Sequence, residues 1–225
     1  MSKHLRNDLT KLEKRLLRLG NRVEAAVRDA IGAVVDRNVE QAEGVIEGDN
    51  TIDDEEVQIE EDCLKILALH QPVATDLRFV TACLKINSDL ERIGDLAVNI
   101  AKRACSLGKN PQEFDMPESL KPMLEEALTM VRESLDAFVR GDAELAIQVL
   151  GEDAHVDELN RETIHSMVER MRAGGDAVDP ALRVLSISKH LERIADHATN
   201  IAEDVIYFVT GDIIRHHPEY AGELD

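Results

Sequence analysis

Glu91-Arg92-Ile93-Gly94-Asp95-Leu96-Ala97-Val98-Asn99-Ile100-Ala101 returns later in the chain as Glu192-Arg193-Ile194-Ala195-Asp196-His197-Ala198-Thr199-Asn200-Ile201-Ala202, with eight of the eleven positions identical. Upstream, Val27-Arg28-Asp29-Ala30-Ile31 lines up with Val131-Arg132-Glu133-Ser134-Leu135. The same ungapped register carries Ala42, Val45, Asp49, Ile52 and Asp53 onto Ala146, Val149, Asp153, Val156 and Asp157. The chain is a tandem duplication, and its repeated unit is helical. Ile86, Leu90, Ile93, Ala97, Ile100 and Ala104 fall at alternating spacings of four and three, as do Ile187, Leu191, Ile194, Ala198, Ile201 and Val205. That spacing makes one apolar stripe per helix.

Each half reads as three helices. The first half has them at about residues 3–38, 40–69 and 74–107, the second at about 118–140, 142–172 and 180–210. Pro72 breaks the first half, because proline cannot continue a helix. Gly141-Asp142, Gly174-Gly175 with Pro180, and Gly211 punctuate the second. Gly108-Lys109-Asn110-Pro111, followed by Met116-Pro117, is the clearest linker. The expected fold is therefore all-α, two tandem three-helix bundles over residues 1–110 and 111–225, the second ending in a short tail.

Composition agrees with bundles: aromatic residues are 3 %, tryptophan is absent, and the apolar residues are mostly aliphatic. The opening Met1-Ser2-Lys3-His4-Leu5-Arg6 lacks the apolar core of a secretory signal. No stretch reaches the roughly 18 apolar residues of a membrane span. A cytoplasmic protein without membrane insertion is expected. Cys63, Cys83 and Cys105 have no metal-ligand spacing and read as reduced thiols. A net charge of -19 argues against nucleic acid as a partner. Residues 1–30 run the other way, at +4, with Arg15, Arg18 and Arg22 among their eight basic residues. They form either a solvated helix face or a docking surface for an acidic partner.

The acidic residues have a pattern of their own. At about 100° per residue Glu91, Asp95 and Asn99 share one face, turned away from the apolar stripe, and Glu192, Asp196, Asn200 and Glu203 repeat it. In an antiparallel hairpin, residues equally far from the turn sit at one level. Asp53 with Glu91, and Asp49 with Asp95, are both centred on residue 72, which is Pro72. Asp157 with Glu192, and Asp153 with Asp196, are both centred between Gly174 and Gly175. Four carboxylates should therefore meet in each bundle. Such a group raises its own pKa values and repels itself unless neutralised. Either an oxygen-ligated cation such as magnesium, manganese, calcium or iron does this, or Arg92, Arg193, Lys102 or Lys189 does.

The repeated Glu-Arg-Ile-Gly/Ala-Asp-x-Ala-x-Asn-Ile-Ala resembles the signature of the PhoU family, as do Gln71-Pro72-Val73-Ala74-Thr75-Asp76-Leu77-Arg78 and the closing Tyr207-Phe208-Val209-Thr210-Gly211. The resemblance spans essentially the whole chain. It implies a non-enzymatic repressor of phosphate uptake and of the phosphate-starvation response. Such a protein would act on the ATPase subunit of a phosphate ABC transporter and on a sensor histidine kinase, often as a homodimer. It also implies metal ions (iron, manganese, magnesium or zinc) at Asp49, Asp53, Glu91, Asp95, Asp153, Asp157, Glu192 and Asp196, with Asn99 and Asn200 as supporting donors. Lys102 stands where the second half has Glu203, which weakens the first site. A ferritin-like di-metal oxidase, which wants Glu-x-x-His pairs in the core, and a purely structural helical adaptor are the rival readings.

Overall fold

The computed structural model of the chain describes residues 3–108 and 115–214. These form six long helices: α1 (Lys3–Val35), α2 (Val39–His70), α3 (Ala74–Gly108), α4 (Leu120–Arg140), α5 (Ala143–Arg172) and α6 (Val178–Thr210). A 3-10 turn at Gly175–Ala177 precedes α6. α1, α2 and α3 pack together, α4, α5 and α6 do the same, and α3 lies along α6. The boundary between residues 110 and 111, and linker residues 109–111, fall outside the described residues.

Local chemistry sets the helix ends. Asn38 caps α2 by accepting a hydrogen bond from the Gln41 amide at 3.1 Å, and Asp142 caps α5 from the Leu145 amide at 3.0 Å. Because Asn38 is a cap, α1 ends at Val35, short of the expected residue 38. α4 begins at Leu120, two residues later than expected, after a turn in which the Leu120 amide bonds the Pro117 carbonyl at 3.1 Å. α6 begins before Pro180 and not at it. A proline in the first turn is tolerated, since those amides have no partner within the helix. Gln71 and Gly141 end α2 and α4 in the left-handed conformation.

Every residue of the two apolar stripes on α3 and α6 is buried, as are Val45, Ile52, Ile59, Cys63 and Ile66 along α2. Burial also pushes the Cys63 thiol up to about 12 and raises Cys83, so both behave as inert core side chains. The bundles meet along α3 and α6, which run antiparallel. Lys85 Nζ reaches the buried Asp204 at 2.5 Å, and Arg103 Nε donates to Ser186 Oγ at 3.1 Å. At one end of this seam Phe79, Phe138 and Phe208 cluster with ring centroids 5.4–6.1 Å apart. Beside them Arg78 Nε donates to the Phe208 carbonyl at 3.2 Å. Two motifs far apart in sequence, Gln71–Arg78 and Tyr207–Gly211, thus close one end of the seam.

Close approach and open space separate the glycines. A Cβ at Gly108 would lie 2.6 Å from Val39 Cγ2 and 3.1 Å from the Arg37 carbonyl, which is backbone and cannot turn aside; at Gly44 nothing lies within 4 Å. Gly108→Ala should cost about 1–3 kcal/mol. Gly44→Ala should stabilise by up to about 1 kcal/mol through helix propensity. Chemical denaturation of the two variants checks this: equal midpoints would refute the close packing at Gly108.

Candidate functional site

α2 and α3 form an antiparallel hairpin, and a buried polar link holds its register. Asn87 Nδ2 donates to the Glu56 carbonyl at 2.9 Å and to Glu56 Oε1 at 3.2 Å. The second bundle has the equivalent link at the equivalent place, where buried Ser188 donates from Oγ to Asn160 Oδ1. One turn further along α3 and α6 stand Glu91 and Glu192. This register brings the carboxylates of each hairpin into one another's field.

In the first bundle burial raises Asp49, and Asp53 and Asp95 push it further up while Lys102 opposes them. Glu91 is raised by burial and Asp95, opposed by Arg92, with further pushes from Asp53 and Glu56. In the second bundle burial, then Asp196, Asp157 and Glu192, take the Asp153 carboxyl up to about 6. Asp196 is itself raised by burial and Glu192, opposed by Lys189. The sequence-derived levels, Asp49 with Asp95, Asp53 with Glu91 and Asp153 with Asp196, are the ones these interactions connect.

The strips are not wholly outward, as the sequence had implied. Asp49 and Asp153 are half-buried at the hairpin interface, and Asp49 Oδ1 is buried with no hydrogen-bond partner. Part of the neutralisation comes from the protein. Arg92 lies 3.3 Å from both Glu91 and Asp95, and Lys189 lies 2.5 Å from Glu192. Asn99 is half-buried on its strip. Asn200 leaves its strip: its Nδ2 donates to Asp89 Oδ1 at 3.2 Å across the α3–α6 seam. His197 meets the same Asp89 oxygen at 2.7 Å. Glu203 lines a cavity of about 220 Å³ at the seam with Lys85, Asp204 and Tyr207. Among the described residues no three His, Cys, Asp or Glu side chains are arranged to hold a metal ion as they stand.

The donor set nevertheless fits an oxygen-seeking cation. It consists of carboxylates that share one field, one of them with an unpartnered buried oxygen. Sequence reasoning missed Asn87, Glu56, Asn160 and Ser188. The signal was available: 42, 49, 56 and 63, like 146, 153, 160 and 167, are one heptad track. Its ends, Ala42, Cys63, Ala146 and Met167, are buried. Polar residues in the middle of a core track need partners.

Residues 16–104 and 120–205 each match the family model described as the PhoU domain. The chain is 38 % identical to the phosphate-specific transport system accessory protein PhoU homolog of Pseudomonas aeruginosa, over 96 % of this chain and 89 % of that one. It is 36 % identical to PhoU homolog 1 of Thermotoga maritima, over 92 % and 90 %. The crystal structure of PhoU from Pseudomonas aeruginosa superposes with a TM-score of 0.89 at 38 % identity, covering 92 % of this chain and 99 % of that one. The phosphate transport system regulatory protein PhoU of Streptococcus pneumoniae gives 0.86 at 32 %, covering 93 % and 98 %.

Asp153 makes a pH-dependent contribution of defined sign. Its folded pKa, about 6, lies above the ordinary 3.8. The native state therefore holds this proton more tightly than the unfolded chain, and stability from this group falls as pH rises from about 4 to about 6. Solvent screening of this half-buried group reduces the effect to on the order of 1 kcal/mol. Asp153→Asn should be more stable than wild type by about that much at pH 7.5, without metal, and no more stable near pH 4. Denaturant titrations at the two pH values decide it; a variant less stable at pH 7.5 would refute the repulsion.

Proposed function

This chain belongs to the PhoU family, and from that premise we propose that it is a cytoplasmic, non-catalytic negative regulator of phosphate uptake and of the phosphate-starvation response. It works by binding, as a homodimer, the ATPase subunit of a phosphate ABC transporter and the associated sensor histidine kinase. The observation that carries the reading is similarity over both bundles to relatives named phosphate-specific transport system accessory proteins. Two structural facts fit. No helix among the described residues is long and apolar enough to cross a membrane. The buried polar side chains among them are amides, hydroxyls and Asp204, with no Glu or His. A ferritin-like oxidase would need both of those in its core.

Metal ions belong to the same proposal. Asp49, Asp53, Glu91 and Asp95 in the first bundle, and Asp153, Asp157, Glu192 and Asp196 in the second, would hold them, with Asn99 as a further donor. A bound cation supplies positive charge that cancels the mutual repulsion of these carboxylates and ties α2 to α3 and α5 to α6. Asn200 serves the seam through Asp89. The second cluster has the greater need. Its strongest shift, at Asp153, arises from burial and three carboxylates with no cation opposing; Lys189 relieves only Glu192 and Asp196, whereas in the first cluster Lys102 and Arg92 relieve Asp49 and Glu91.

In cells grown with ample phosphate, deleting the gene should raise phosphate uptake, and the intact chain should restore repression. Unchanged uptake would refute the regulatory role. On purified protein, manganese or ferric iron should raise the melting temperature by mass action. Asp196→Asn should remove more of that gain than Asp95→Asn, and melting curves indifferent to metal and chelator would refute the metal sites.

A further inference from the structure

α1 and α2 are joined by polar and ionic links spaced seven residues apart along α1. His70 meets Asp8 at 3.1 Å, Arg15 meets Asp62 at 2.8 Å, and Arg22 meets Glu55 at 3.1 Å. Arg15 and Arg22, candidates for an external partner on sequence grounds, are therefore engaged within the fold. The neighbouring basic residues differ. Lys14 and Arg18 have no ion pair among the described residues, and the Arg18 Nε only touches the Lys14 carbonyl, at 3.4 Å. Together with Lys11 and Lys65 they line a groove of about 420 Å³ that also includes the apolar Ile66 and Leu69. Five cations against Asp8 and Asp62 leave the groove at +3, counting His70 neutral, on a chain of net charge -19. Leu69 is 77 % exposed, and Val73, just beyond it at the α2–α3 turn, is 73 % exposed.

Basic side chains, an exposed apolar residue and a concave shape select among occupants. A small inorganic anion would use the charge and leave the leucine bare. An anionic membrane is flat and would repel the rest of the molecule, which is strongly acidic. A helix with acids and leucines on one face uses every feature. Lys11, Lys14 and Arg18 follow at intervals of three and four, about 10 Å in all along α1. Carboxylates at the same helical spacing on a facing segment match them, and its apolar residues cover Leu69 and Val73. We propose that this groove is the docking site for an acidic amphipathic segment of a protein partner. The proposal rests on the regulator reading for the partner's existence, and on charge complementarity for its chemistry.

The test uses the full chain and a fluorescein-labelled helical peptide of about 20 residues, with Glu at positions matching Lys11, Lys14 and Arg18 and Leu between them. A Glu→Gln peptide and vesicles of phosphatidylglycerol are the comparison probes. Fluorescence anisotropy should show the Glu peptide binding, with affinity falling about tenfold or more in Lys14→Glu/Arg18→Glu and on raising salt from about 50 to about 300 mM. Leu69→Ser should weaken it several-fold, and the Gln peptide and the vesicles should not bind. Lys14 and Arg18 hold no carboxylate, so circular dichroism of the double variant should match wild type. Undiminished peptide binding by that variant, no binding by wild type, or vesicle binding lost in the variant would each overturn the proposal. Phosphate uptake separates it from the regulator reading. A double variant that represses uptake like wild type overturns the groove and leaves the regulator standing, whereas unchanged uptake on gene deletion overturns the regulator, and the peptide alone then judges the groove.

Discussion

Everything in each bundle depends on the register between its second and third helices, and a buried hydrogen bond sets that register. Aliphatic stripes repeat every seven residues and would pack almost as well after a slip of one heptad. The polar links would not. A slip parts Asn87 from Glu56, or Ser188 from Asn160, and leaves buried polar atoms unmatched at about 1–3 kcal/mol each. A single polar position in an apolar seam specifies alignment in this way at little gain in stability. In both bundles the link sits one turn from the carboxylates, so the interaction that aligns the hairpin also forces like charges together.

The duplication makes the next level of structure legible. In the third helices, residues of the two halves correspond at an offset of 101, so Lys85 answers to Ser186 and Arg103 to Asp204. The contacts Lys85–Asp204 and Arg103–Ser186 are therefore one contact seen from two sides of a pseudo-twofold axis. Divergence has turned one side into a buried ion pair and the other into a guanidinium on a hydroxyl. Asp89 and its counterpart His190 have separated further. Asp89 gathers His197 and Asn200, whereas His190 bonds Ser186 and is lowered by burial and by Arg103 and Arg193. The two carboxylate clusters thus hang on a common seam but are not equivalent.

Much of this was readable in advance, because helix periodicity and turn residues are local. The six helices, the stripes of α3 and α6, and the levels of Asp49 with Asp95, Asp53 with Glu91 and Asp153 with Asp196 came from spacing alone. What escaped was decided between helices. Asn200 shares a face with Asp196 in a helical projection, yet α6 is flanked by α3 as well as α5, and the nearer partner was Asp89. Arg15 and Arg22 read as exposed charges because nothing in α1 reveals that Asp62 and Glu55 recur opposite them at the same heptad interval. The start of α6 was misplaced for a local reason, since proline breaks a helix interior but not a first turn.

Asp49 and Asp153 remain unexplained by folding alone. Each lies on a core track whose ends are buried, is half-desolvated and is pushed upward by other carboxylates. An uncharged residue would serve the fold better at either position, because it would remove repulsion without removing a bond; Asp49 Oδ1 has no bond to lose. Local rules broken at matching places in both copies of a duplicated unit mark positions held for something other than packing. A cation bound by the folded hairpin and not by the unfolded chain turns that liability into a dependence of stability on the ion. On the proposed reading, an ion at each cluster would set how firmly α2 is held to α3 and α5 to α6. In the first bundle α2 also lines the basic groove, so the charge state of the acidic cluster and the shape of that groove share a helix.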